Sequence, residues 1–356
     1  MTDNEKFHIR LSVIWWSALF VMLMWLMFVT ANNKTIVIAD GTYGEGAVQE
    51  GGSMGRAQKL GLESAGEANG IFLIPLEENT KPESVVVENR YMDKELRILI
   101  KGAHEDFYGG HTVQGDITSI QRAYWERQRN GVLLRIQMNA IYEYRTSMDG
   151  NILRVEVCDP HEIYRMLVVI DPAGGGPISA NPGVADYRNQ IAAGIMLEVG
   201  KRLPEQLDNS NIRLYFTRTA DEDISPERRA ALVEDVGADL FLYIDTAADE
   251  DTSQYGIRGY YNESYFIPGF GNVELADLVT RKVTLACGNR AIGLEPAGEE
   301  SVLQNIRVPA AGIELGYMTN EQESALLSQS DYQERLAAGI AEALREVYTN
   351  YYEKME

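Results

Sequence analysis

The pattern of apolar and polar positions divides the chain into four stretches. The first is residues 11–30 (LSVIWWSALFVMLMWLMFVT), which carry no charge. As a helix this run is roughly 30 Å long, the thickness of a bilayer core. Trp15 and Trp16 lie near one end and Trp25 nearer the other, where interfacial anchors sit. No polar face interrupts the run, which argues against a buried core helix. It also exceeds the about 7–15 apolar residues of a cleaved signal, although cleavage at Val29-Thr30-Ala31 remains the alternative. Lys6 and Arg10 precede the run and only Lys34 follows closely, so the positive-inside bias makes residues 1–10 a cytoplasmic stub and 11–30 a transmembrane signal anchor.

The second stretch, 31–83, begins rich in Gly, Glu, Ala and Ser with weak periodicity. It reads as a flexible arm, with a short helix over 56–67. The third, 84–160, alternates in β-branched segments. It predicts strands at 84–89, 95–101, 132–138, 140–145 and 152–157, with turns at Asn130-Gly131 and Asp149-Gly150 and one amphipathic helix at 117–128. The expectation is a small β-sandwich-like module.

In the fourth stretch, 165–351, short buried strands alternate with amphipathic helices. Strands are predicted at 166–170, 212–217, 240–244 and 311–315, and helices at 186–207, 226–236, 273–286 and 331–351. That order predicts an α/β domain, a mostly parallel sheet flanked by helices.

Charge narrows the function. Asp and Glu number 53 against 32 Lys and Arg, a formal net charge of -21, so nucleic acid is not an expected partner. Two cysteines, Cys158 and Cys287, allow at most one internal disulfide. His8, His104, His111 and His161 are the only histidines, so none lies beyond residue 161. His104 and His111 read as solvated loop residues.

Function in such a sheet collects where strands end. Four ends stand out: Asp171-Pro172-Ala173-Gly174-Gly175-Gly176, Thr217-Arg218, Asp245-Thr246, and Glu314-Leu315-Gly316-Tyr317-Met318-Thr319-Asn320. Together with Glu227-Arg228-Arg229, Gly237-Ala238-Asp239-Leu240-Phe241, Val302-Leu303-Gln304 and Pro309-Ala310, these blocks resemble the type-3 zinc-dependent N-acetylmuramoyl-L-alanine amidases. The resemblance spans about residues 166–348. In that family a His, a Glu and a second His hold one zinc, leaving a fourth position for water, and a further Glu is the acid/base.

The resemblance places Glu314 at the retained catalytic position. It places Gly174, Arg188 and Asp245 at the three zinc-ligand positions, all substituted, so zinc, expected for the family, is not expected here. Asp171, Arg218 and Asn320 are candidates for site support. Asp171 is expected to cap or hydrogen-bond loop backbone, and Arg218 to secure a loop or pair with an acid. Glu314 is expected to hold backbone amides of neighbouring loops. Arg188 is expected to stand where the cation was and pair with Asp245 or Glu314. A second possibility for the three carboxylates Asp171, Asp245 and Glu314 is Mg²⁺ or Ca²⁺.

With the anchor read at 11–30, the resemblance implies a bacterial envelope protein whose degenerate groove binds peptidoglycan or a partner protein. Two alternatives stand beside it. One is an active amidase with Glu314 as general acid/base, for instance recruiting His161 to a metal. The other is a structural component of a division or sporulation complex.

Overall fold

The computed structural model describes residues 56–66, 70–177 and 183–353. The stub, the membrane span expected at 11–30 and the arm as far as residue 55 lie outside the described residues. Among the described residues no helix is long and apolar enough to cross a membrane.

The N-terminal module is built of β1 (Gln58–Lys59), β2 (Gly61–Ser64), β3 (Ile71–Pro75), β4 (Val85–Arg90), β5 (Glu95–Lys101), β6 (Thr112–Gly115), β7 (Ile120–Gln128), β8 (Gly131–Met138), β9 (Glu143–Asp149) and β10 (Ile152–Cys158), with α1 (Glu105–Gly109) between β5 and β6. The strands form two five-stranded sheets, β1-β7-β8-β5-β4 and β2-β6-β3-β10-β9. One core joins the two: Ile98, Trp125 and Leu134 from the first meet Phe72, Ile74 and Val155 from the second. Two-residue alternation makes this possible, since every second side chain of β3, β5 and β8 faces the partner sheet.

Two expectations are corrected here. The segment expected as arm supplies β1, β2 and β3, and β1 and β2 replace the short helix expected at 56–67. The helix expected at 117–128 is β7. A register shift between Ile120 and Arg122 puts the buried Ile120 and Ala123 three residues apart. That spacing imitates one face of a helix.

The second unit runs α2 (Pro160–Ile163), β11 (Met166–Pro172), α3 (Val184–Leu207), β12 (Ile212–Phe216), α4 (Pro226–Val236), β13 (Leu240–Ala247), β14 (Ile257–Tyr261), α5 (Asn272–Cys287), β15 (Ala291–Pro296), β16 (Ala310–Tyr317), α6 (Glu321–Leu327) and α7 (Ser330–Val347). Its six-stranded sheet has the order β12-β11-β13-β16-β14-β15. The first four strands are parallel. β14 runs antiparallel to β16, and β15 runs alongside β14, so the sheet is mixed. The last helix is shorter than expected and passes into a wider turn, Tyr348–Tyr352.

Helices α3, α5 and α7 cover one face through Met196, Val199, Val279, Val283, Leu336 and Ile340. Gly339 lets α7 press onto α5, since a Cβ there would lie 2.6 Å from the Val283 Cα. The other face carries α4 and the short Val302–Asn305 turn, through Leu232, Val233, Val236 and Leu303. Pro226 at the first position, Ser225 accepting from the Arg228 N–H, and Gly237 at φ 64 start and stop α4 where the sequence predicts.

The module closes the outer edge of the sheet. The Tyr91 hydroxyl accepts from the Phe216 N–H and donates to the Phe216 carbonyl, both at 2.9 Å. The Tyr91 ring meets Tyr215 edge-on, centroids 5.2 Å apart. Glu143 at the start of β9 accepts from Arg213 Nε at 2.8 Å and the Tyr215 hydroxyl at 2.7 Å. Asp93 pairs with Arg228, and Lys94 with Asp235 at 2.7 Å. An open strand edge is thereby covered. Cys158 and Cys287 are both free thiols, and burial pushes the Cys287 thiol up to about 11.

Candidate functional site

The carboxyl ends of β11, β13 and β16 and the start of β14 meet on the α4 face. Strand register sets two rows of side chains across them. One row is Asp171, Tyr243, Gly312 and Tyr260. The next is Asp245, Glu314 and Arg258. Gly312 leaves a gap between the two tyrosines, and a cavity of about 540 Å³ opens there, with walls that include Ile224, Val302 and Leu303.

Each carboxylate already has partners. Asp171 is fully buried; its Oδ1 accepts from Thr217 Oγ1 and from Arg229 Nη1, both at 2.5 Å. Burial pushes its pKa up, against the pull of Arg229 and Thr217. Its second oxygen has no hydrogen-bond partner. Asp245 accepts from the Tyr243 hydroxyl at 2.8 Å and from the Thr246 N–H at 2.7 Å. Burial raises it too, with neighbouring Asp171 adding to the effect. Glu314 is half-buried and hydrogen-bonds the Tyr260 hydroxyl. Burial raises its pKa; Tyr260 and Arg258 oppose, and Asp245 reinforces. Arg258 donates to the Tyr317 hydroxyl at 2.6 Å and pairs with Glu295 at 3.1 Å.

The loop after β11 is held from behind. Arg218 donates from Nε to the Pro172 carbonyl at 2.9 Å, and from Nη2 to the Ala173 and Ala193 carbonyls at 2.6 and 2.7 Å. Arg229 reaches the Gly174 carbonyl at 2.9 Å. Gly174 has φ 74, and a Cβ there would lie 2.8 Å from the Ala193 Cβ. At Gly175 and Gly176 an added Cβ would meet the Glu222 carbonyl at 2.2 Å and the Asp223 Cβ at 2.7 Å. The loop is wedged between α3 and the Glu222-Asp223 segment, which only glycine permits.

Several expected roles change. Arg188 makes no ion pair with Asp245 or Glu314; the cation beside Glu314 is Arg258, and the one paired with Asp171 is Arg229. Asp171 holds Thr217 and Arg229 in place of loop backbone. Glu314 holds a tyrosine in place of backbone amides. Asn320 caps α6 through the Gln322 and Glu323 N–H groups and reaches the Thr252 carbonyl, away from the two rows. His161 Nε2 lies 3.0 Å from the Gly237 carbonyl, at the far end of α4 from the site. It is committed there and is not folded back toward Glu314.

These residues do not fit a zinc ion. Gly174 offers no ligand atom and the Ala193 contact leaves no room for one. Among the described residues, no three His, Cys, Asp or Glu side chains gather closely enough to hold a metal, and this bears equally on the Mg²⁺ or Ca²⁺ expectation. Arg229 already supplies a positive charge to Asp171, and Asp245 is held by Tyr243 and Thr246.

Sequence reasoning missed Tyr243, Tyr260 and Arg258, whereas Tyr317 was visible within the block that begins at Glu314. Arg229 was visible within the Glu227-Arg228-Arg229 block. The period-two relation of Tyr243 to Asp245 on one strand was a readable signal. Arg258 and Tyr260 were not readable, because β14 itself was not predicted.

A family model described as N-acetylmuramoyl-L-alanine amidase matches residues 168–346. The chain is 23% identical over 197 residues to the germination-specific N-acetylmuramoyl-L-alanine amidase of Bacillus subtilis, covering 51% of this chain and 80% of that protein. It is 25% identical over 178 residues to the probable cell wall amidase LytH of Staphylococcus aureus, covering 50% of this chain and 57% of LytH. The N-acetylmuramoyl-L-alanine amidase of Clostridium difficile 630 aligns in structure with a TM-score of 0.47 at 26% identity, covering 52% of this chain and 98% of that one.

Proposed function

The chain belongs to the N-acetylmuramoyl-L-alanine amidase family, and on that premise we propose that its cleft binds a cell-envelope ligand without hydrolysing it. The observation that carries this reading is the Gly174 loop, sealed against Ala193 and backed by Arg229 and Arg218. Amide hydrolysis needs a water acidified by a neighbouring cation and a carboxylate to take its proton. Glu314 supplies the carboxylate. The position where the resemblance puts the first metal ligand supplies no ligand atom.

The ligand in this reading is peptidoglycan or a protein of the envelope. The uncharged run at residues 11–30 supports a single-pass membrane anchor with the N-terminus cytoplasmic and the module and cleft outside. The close fit of the module on β12 supports a role as a fixed support for the cleft rather than a loosely tethered arm.

A second reading, an active amidase with Glu314 as general acid/base, draws on the named activities of the relatives and on the raised pKa of Glu314. Incubating the full chain with peptidoglycan and excess Zn²⁺, and following free N-terminal alanine by mass spectrometry, separates the two. No product is expected where a competent amidase yields it. Product that disappears in Glu314→Gln establishes the second reading.

A further inference from the structure

We infer that the gap over Gly312 is a docking groove for a basic segment of another protein, anchored by one large apolar or aromatic side chain. This rests on the non-hydrolytic reading of the cleft and names its ligand.

The two tyrosine hydroxyls at the floor of the groove are already engaged. The Tyr243 hydroxyl is donated to Asp245, and the Tyr260 hydroxyl is engaged with Glu314. Arg229, which also lines the groove, commits four of its five N–H groups to Asp171 and the carbonyls of Pro172, Gly174 and Ile224. A polar group entering would leave its water partners and find few in exchange. An apolar group would displace water from the Tyr243 and Tyr260 rings, Ile224, Val302 and Leu303 at no such loss. The volume of about 540 Å³ suits one large side chain with some of its backbone.

The rim selects the charge of the partner. Glu222 and Asp223 lie exposed beside Ile224 on one side, and Glu299 and Glu300 lie exposed beside Ala297 on the other. None of the four makes an ion pair among the described residues. Arg229, the cation that lines the groove, is buried and already paired with Asp171. Added to the chain's net charge of -21, this makes the mouth a negative field that draws cationic segments and repels the carboxylates of a wall stem peptide. An apolar anchor inside a charged rim is the arrangement in which one residue carries most of the affinity.

The test uses the full chain and fluorescently labelled peptides read by anisotropy. The probe is Gly-Lys-Lys-Trp-Lys-Lys-Gly; its controls replace Trp by Ala, or each Lys by Glu. The expected result is saturable binding of the probe, about ten-fold or more weaker with Ala, and none with Glu. The decisive variant is Gly312→Ala. Its methyl has room, 3.4 Å from Leu303 Cδ1 and Tyr260 Cβ and 3.6 Å from Tyr243 Cδ1. It should raise the floor and weaken the probe about ten-fold without moving the unfolding midpoint. Equal binding of the Trp and Ala peptides, or indifference to Gly312→Ala, overturns the inference. So does binding of a disaccharide-peptide wall fragment that Gly312→Ala abolishes, when the basic probe does not bind. In that event the non-hydrolytic cleft stands and only the docking partner is wrong, whereas release of free alanine from peptidoglycan removes the underlying reading itself.

Discussion

The Cβ that Gly174 lacks would lie 2.8 Å from the Cβ of Ala193 on α3. The Ala193 methyl thus occupies the space a side chain at 174 would need, and φ 74 adds conformational strain to any replacement. Gly174→Ala should destabilise the chain by about 1–3 kcal/mol. In an Ala193→Gly background the loss should shrink, giving a coupling of about 1 kcal/mol in a double-mutant cycle followed by urea unfolding. Simple additivity of the two changes would mean the loop is free to move away from α3.

Asp171 and Arg229 form a buried pair, so removing one partner strands the other. Arg229→Met should lower stability by about 3–5 kcal/mol, because it leaves a fully buried carboxylate with only Thr217. The double variant Asp171→Asn with Arg229→Met should recover much of that loss. Chemical denaturation of the three proteins decides this, and an Arg229→Met loss no larger than that of an exposed ion pair, about 0–1 kcal/mol, would contradict it.

The contact between Tyr91 and Phe216 ties the module to the domain immediately before Thr217, the residue that holds Asp171. Tyr91→Phe keeps the ring against Tyr215 and deletes both hydrogen bonds. It should cost about 1–3 kcal/mol, since the buried Phe216 amide loses its bond to the Tyr91 hydroxyl. Hydrogen exchange at Phe216 should accelerate in the variant. Unchanged protection there would show that the module does not hold this strand edge.

Much of the fold was legible because burial follows period. The apolar run of β11, the capped helix α4 and the alternating strands β5, β8 and β10 stand where the sequence places them, within a residue or so. What escaped notice had local reasons. The register shift in β7 mixed the two periods. β14 is five residues long with Gly259 at its centre, where an added Cβ would meet Thr280 Oγ1 at 2.4 Å. β15 is an edge strand carrying Gly293 and Pro296 and is largely exposed, so neither reads as a buried strand. The site was legible in its carboxylates and not in their partners. Arg258 and Tyr260 reach Glu314 only through the antiparallel pairing of β14 with β16, a contact between residues over 50 apart in sequence.

Glu314 should leave a signature in pH. Burial raises its carboxyl above the ordinary 4.5, so the fold favours the protonated form. That contribution is complete below the unfolded value and is lost as pH rises through the raised one. Glu314→Gln keeps an oxygen for the Tyr260 hydroxyl and carries no charge at any pH. The variant's Tm should therefore match the parent near about pH 4 and exceed it by a few degrees near about pH 7. A difference independent of pH would show that Glu314 titrates as an ordinary exposed acid.

The central claim is that the cleft is built to bind without a metal. Calorimetric titration of Zn²⁺ into the metal-stripped full chain tests it most directly. The prediction is no one-to-one site of affinity tighter than about micromolar, and no difference between the parent and Glu314→Gln. A stoichiometric, tightly bound zinc that is lost in Asp245→Asn or Glu314→Gln would contradict the account.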